Sequence, residues 1–68
     1  MNGKIGTMVE ERLFGWIHGD DNREYFFHRD DLVNRPDWEE CSSGRHCTFI
    51  PVEPQPSRGP RAAEVMIL

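Results

Sequence analysis

Arg12-Leu13-Phe14-Gly15-Trp16-Ile17-His18-Gly19-Asp20-Asp21-Asn22-Arg23-Glu24-Tyr25-Phe26-Phe27-His28 is the stretch that decides the fold. Leu13 to His18 and Glu24 to His28 are dense in Phe, Trp, Tyr and Ile, residues that suit a pleated, half-buried surface. Gly19-Asp20-Asp21-Asn22 between them is hairpin chemistry, because Gly, Asp and Asn tolerate the left-handed backbone angles of tight turns. A period of two puts Phe14, Trp16 and His18 on one side of the first strand and Leu13, Gly15 and Ile17 on the other. On the return strand Phe26 and His28 share one side, Tyr25 and Phe27 the other. Both faces are apolar, and a sheet buried on both faces needs a covering layer on each. Leu13, Ile17, Tyr25 and Phe27 make the better core set. The Phe14/Trp16/Phe26/His28 face, which continues into His18 and Glu24, is therefore expected to stay outside, and a contiguous apolar patch in water marks a binding surface.

Outward from the hairpin, Gly3 to Val9 is a short β-tolerant run ending at Glu10-Glu11. From Arg29 to Gly44 the chain turns polar; Asp30-Asp31-Leu32-Val33 closes at most one helical turn, and Pro36 stops anything longer. Arg45 to Ile50 alternates, with Cys47 and Phe49 on one side. Pro51, Pro54, Pro56, Gly59 and Pro60 mark a second long loop, and Ala62 to Leu68 is a final strand. Five short strands, two long loops and no real helix predict an all-β fold, a small five-stranded antiparallel barrel. The chain is too short to divide, so residues 1–68 are expected to form one domain.

Size and charge exclude much else. Ordering 68 residues at about 1.5 kcal/mol each costs on the order of 100 kcal/mol, and so small a core cannot spare the atoms a deep substrate cavity removes. An enzyme is not expected, nor a small-molecule substrate. Twelve acids against eight bases argue against a polyanion clamp built on surplus cations. Binding by stacking remains open, because every base except Lys4 is an arginine, whose planar guanidinium stacks where an ammonium does not. No apolar run approaches the ~18 residues of a membrane span, and no secretory h-region is visible at the N-terminus. With only Cys41 and Cys47, the chain reads as cytoplasmic with reduced thiols.

The residues resemble a known family. Arg12-Leu13-Phe14-Gly15-Trp16-Ile17 is similar to the first ribonucleoprotein motif of cold-shock domains, lysine-glycine-phenylalanine-glycine-phenylalanine-isoleucine. Tyr25-Phe26-Phe27-His28 resembles the second, valine-phenylalanine-valine-histidine. The likeness continues through Gly44-Arg45-His46-Cys47-Thr48-Phe49 and ends at Arg58-Gly59-Pro60-Arg61-Ala62-Ala63-Glu64-Val65, close to glycine-proline-x-alanine-alanine-asparagine-valine. It implies an OB-type Greek-key barrel that binds single-stranded RNA or DNA on its second and third strands, with little sequence preference and in the manner of an RNA chaperone. By position, Phe14, Trp16, Phe26 and His28 are the implied stackers, Arg12 takes the motif lysine's place near phosphate, and Trp38 falls near a loop aromatic used as a further platform. The chain departs from the family where lysine-tryptophan-phenylalanine of the first strand becomes Gly6-Thr7-Met8, the motif glycine becomes Leu13, and the phenylalanine after the histidine becomes Arg29. Two lost stacks of about 1–3 kcal/mol each imply affinity tens- to thousands-fold below the family's. Trp16 and the planar Arg29, a further contact for base or phosphate, offset part of that loss.

Other readings of the same residues remain. The aromatic stripe also suits a self-association or protein-partner patch, in a monomer or weak homodimer, and His28 also suits a structural cap at a strand end. Cys41, His46 and Cys47 do not have zinc-finger or ribbon spacing, so no metal and no cofactor are expected; both cysteines read as small core residues. The acidic pairs Glu10-Glu11, Asp20-Asp21, Asp30-Asp31 and Glu39-Glu40 sit in turns and read as solvated charge rather than catalytic dyads.

Overall fold

The computed structural model describes residues 1–52 and 59–68, with the backbone alone described for 35–37. Five strands, β1 (Asn2–Val9), β2 (Phe14–Gly19), β3 (Glu24–His28), β4 (His46–Val52) and β5 (Arg61–Ile67), close a barrel in the order β1-β2-β3-β5-β4. That order is consistent with an OB-like fold. Pairing is antiparallel except between β3 and β5, which run parallel at Phe26 and Arg61. The expected antiparallel barrel thus carries one parallel seam, since β4 and β5 each reverse the chain direction and β5 ends up running along β3. Pro54, Pro56 and Arg58 lie outside the described residues.

The hairpin forms as its turn residues dictate. Gly19 and Arg23 close the loop, Asn22 takes φ 65°, and Asp21 accepts from the Arg23 N–H (3.1 Å) and the Tyr25 hydroxyl (2.5 Å). The hydroxyl bond, more than the others, holds the Asp21 carboxyl below its usual 3.8. β2 starts one residue later than its composition suggests. Leu13 closes a 3-10 turn over Glu10–Arg12 at φ 61°, so it is half-buried outside the strand rather than a core strand residue. β4 extends through Pro51 and Val52, beyond the expected end at Ile50. Pairing with β1 covers only His46 to Thr48, so this end of β4 has β5 alone as a neighbour and tolerates a missing N–H.

Two bulges reset the alternation that period two assigns. On β1, Gly6 and Thr7 together stand opposite Trp16, so Ile5 and Met8 both turn toward the core. On β5, Glu64 at φ 47° supplies the extra residue, and Ala62 and Val65 both point inward. The core is Ile5, Ile17, Tyr25, Phe27, Leu32, Cys41, Cys47, Phe49, Ala62 and Val65. Gly15 lets β1 and β2 approach: a Cβ there would stand 2.6 Å from the Thr7 carbonyl oxygen and 2.9 Å from Met8 Sδ. Beyond β3, a 3-10 turn at Arg29–Asp31 brings Leu32 beside Val65, and a 3-10 helix at Arg35–Glu40 leads to buried Cys41. These pieces close one end of the barrel over Phe27.

Candidate nucleic-acid interface

With Ile17, Tyr25 and Phe27 buried, the pleat turns their strand neighbours outward. Phe14 stands opposite His28, and Trp16 opposite Phe26. Phe14, Trp16 and Phe26 form a triangle, with ring centroids 5.4 Å apart for Phe14–Trp16, 5.4 Å for Phe14–Phe26 and 5.9 Å for Trp16–Phe26. All three are half-buried: their edges support one another while the outer surface stays in water. Two side chains on one strand have Cα atoms about 6.8 Å apart, yet the Phe14 and Trp16 rings lean together and meet edge to face at 85°. Such rings cannot all receive one continuous stack. They suit bases that have been splayed out of register.

His28 takes the structural role read for it, a cap at the strand end. Its Nδ1 accepts from the Asp30 N–H at 3.1 Å, and its own N–H donates to Asp31 Oδ2 at 2.9 Å, a reciprocal cap on the 3-10 turn. Use of Nδ1 as acceptor puts the proton of the neutral ring on Nε2, a donor left for another partner. The ring stays on the same face as Phe14 and Phe26.

The cations are distributed unevenly. Arg12, exposed at the end of the turn before β2, and Lys4, between His18 and His46 on the outer face of β1, enter no ion pair among the described residues. His18 is tied to Glu24 (3.2 Å). Arg29 is half-buried; its N–H binds the Leu13 carbonyl at 2.8 Å, and its Nε is shielded from solvent with no hydrogen-bond partner. Trp38 is not brought into the cluster. It packs on the core, its ring 6.0 Å from Phe27, a residue on the inward side of β3.

Sequence reasoning passed over Arg61. The parallel pairing sets it beside Phe26 on the outer face, and its guanidinium holds Asp31 through Nε (3.3 Å) and Nη2 (3.0 and 3.1 Å). Its place in the Gly59-Pro60-Arg61 segment is legible, but nothing local says which strand it will join. Cys41 and Cys47 are buried free thiols, and burial, with Cys41 close by, pushes the Cys47 thiol up to about 11. No group of three or more His, Cys, Asp or Glu among the described residues is placed to hold a metal ion.

Together these features define a small closed five-strand β-barrel with an aromatic cluster on its outer face. No family model matches the chain, and no curated protein matches it at a significant level.

Proposed function

We propose that this chain is a cold-shock-like, non-enzymatic binder of single-stranded RNA or DNA that works by aromatic stacking with low sequence preference and keeps RNA from pairing with itself. The observation that carries the reading is the Phe14–Trp16–Phe26 triangle on the outside of a barrel of this strand order. The opposite face of the hairpin supplies Ile17, Tyr25 and Phe27 to the core, so these rings are not needed to fill the interior. Each base received on such a ring contributes about 1–3 kcal/mol, nearly independent of its identity. Arg12 and Arg29 flank the cluster for phosphate or stacking, and His28 Nε2 offers a donor to a base edge. A chain of net charge −4 that relies on rings should bind with shallow salt dependence. At about −0.7 per phosphate in a log–log plot, two or three contacts give a slope of roughly −1.4 to −2.1.

Titration with oligo(U) or oligo(dT), followed by tryptophan fluorescence at several salt concentrations, tests this. Quenching of Trp16 with a shallow slope supports it, and a slope steeper than about −5 would show that charge rather than stacking drives binding. One further observation favours a second reading, an interaction or self-association module. Ile50, Val52, Met66 and Leu68 are exposed apolar side chains on or next to β4 and β5. Concentration-dependent dimerisation without any oligonucleotide quench would select that reading instead.

A further inference from the structure

The parallel seam between β3 and β5 carries a group that stacking alone does not use. Arg61 stands beside Phe26 on β3 and opposite Val52 on β4, so the row Trp16, Phe26, Arg61, Val52 runs across the outer face. Neighbouring strands lie about 4.8 Å apart, which puts the Arg61 stem one strand spacing from the Phe26 ring. The guanidinium is not a loose surface cation. Asp31, whose side chain is only 14% exposed, takes its Nε and Nη2 side in a bidentate pair, and the same Asp31 oxygen accepts from the His28 N–H. One carboxylate thus fixes both the plane of Arg61 and the backbone of His28, at the two borders of Phe26.

Such a pair is a poor phosphate site. The carboxylate cancels the guanidinium charge and repels a second anion. What it leaves is geometric: Nη1 makes no hydrogen bond among the described residues, and Nη2, which serves Asp31 on its Nε side, keeps the N–H on its Nη1 side, so this end of the guanidinium is a planar two-donor fork. A two-donor fork of fixed plane suits two adjacent acceptors on one edge of a base. Guanine presents them as O6 and N7 and cytosine as N3 and O2, while adenine sets a donor beside N7 and thymine or uracil alternates acceptor with N–H; of the two, the guanine pair is the commonest bidentate arginine contact. We propose that Arg61, held by Asp31, reads one guanine at the nucleotide next to the base stacked on Phe26, one specific position on an otherwise tolerant surface. This rests on the nucleic-acid reading above and adds to it the position and identity of one base.

The test uses the full chain and an oligo(dT) of about eight nucleotides, within the site size of one OB-type barrel. A single dG, dA or dC is walked along it, with tryptophan quenching as the readout. At one position dG is expected to tighten binding about five-fold over dA, the gain from one well-placed bidentate pair at an exposed site. Arg61→Ala and Arg61→Lys are both expected to erase that difference while changing affinity for the unsubstituted oligo(dT) less than about two-fold. Thermal melts of both variants confirm that the barrel is intact. If oligo(dT) quenches Trp16 but dG, dA and dC bind alike at every position, or if either variant keeps the preference, the Arg61 assignment is overturned and the stacking surface stands. Stronger preference for dC, whose N3 and O2 are also adjacent acceptors, than for dG overturns the guanine assignment. Absence of any quench overturns both.

Discussion

Replacing Phe26 with alanine is the most direct probe of the aromatic cluster, because this ring touches both others. The cost to the fold and the cost to binding are separable in advance. Phe26 is half-buried, so its apolar transfer contributes about 1 kcal/mol. Its contacts with Phe14 (5.4 Å) and Trp16 (5.9 Å) add about 0.5–1.5 kcal/mol each. The fold should therefore lose about 2–4 kcal/mol, with no cavity contribution, because water fills the vacated site. A domain of 68 residues has about 3–10 kcal/mol in all, so the variant should be examined well below its melting temperature. Binding should fall by the stack that Phe26 supplies, about 1–3 kcal/mol or roughly 5- to 150-fold. Phe49→Leu is the control. Phe49 is fully inside, packed on Tyr25 at 4.9 Å, so its loss destabilises the barrel without touching the outer face. Circular dichroism melts measure the first effect and oligo(U) titration with Trp16 fluorescence the second. If Phe26→Ala melts cooperatively yet binds within about two-fold of the parent, or if Phe49→Leu weakens binding as much, the ring is not a platform and the reasoning fails.

Other changes probe the scaffold that presents the rings. Gly15→Ala forces a Cβ against the Thr7 carbonyl and Met8, and should destabilise the β1–β2 pair by about 1–3 kcal/mol, or roughly 4–20 °C in melting temperature. Glu64→Asn relieves a left-handed residue at an exposed position and should raise the melting temperature by a few degrees; an unchanged or lowered value would refute the strain argument. Asp21 has its folded-state pKa depressed, so its contribution is present above the usual 3.8 and disappears as pH falls through the lower folded-state value. Melting curves from pH 5 to pH 2 should show the difference between the parent and Tyr25→Phe shrinking with acid, and a constant difference would refute the linkage. Cys47, buried and with its thiol pushed up to about 11, should react with iodoacetamide at neutral pH only at the rate of unfolding, so fast labelling of the native protein would contradict its placement.

The outward aromatics follow from size. A barrel this small has one inside, and the hairpin carries two apolar faces. Ile17, Tyr25 and Phe27 take the interior. Phe14, Trp16 and Phe26 then cover one another as far as rings on neighbouring strands can, leaving each half-buried.

How much of this was legible in the chain depends on how local each decision is. The hairpin, its turn at Gly19 to Asn22, and the division of Tyr25 and Phe27 from Phe26 and His28 follow from period-two alternation and turn chemistry, which act over a few residues. Cys47 and Phe49 on the inner face were readable for the same reason. What alternation could not supply were the breaks in it. The extra residue at Gly6-Thr7 and the left-handed Glu64 exist because a closed barrel must bend its strands, a requirement of the whole sheet rather than of any segment. Trp38 was placed by likeness to a loop position, whereas its neighbour Phe27 is decided by where a 3-10 helix ends on the barrel. Arg61 lies 35 residues from Phe26, and only the parallel β3–β5 contact makes them neighbours and gives Arg61 the carboxylate of Asp31. Side-chain faces are set by chemistry within a strand. Which faces meet is set by closure of the barrel, and the candidate site lies where the two meet.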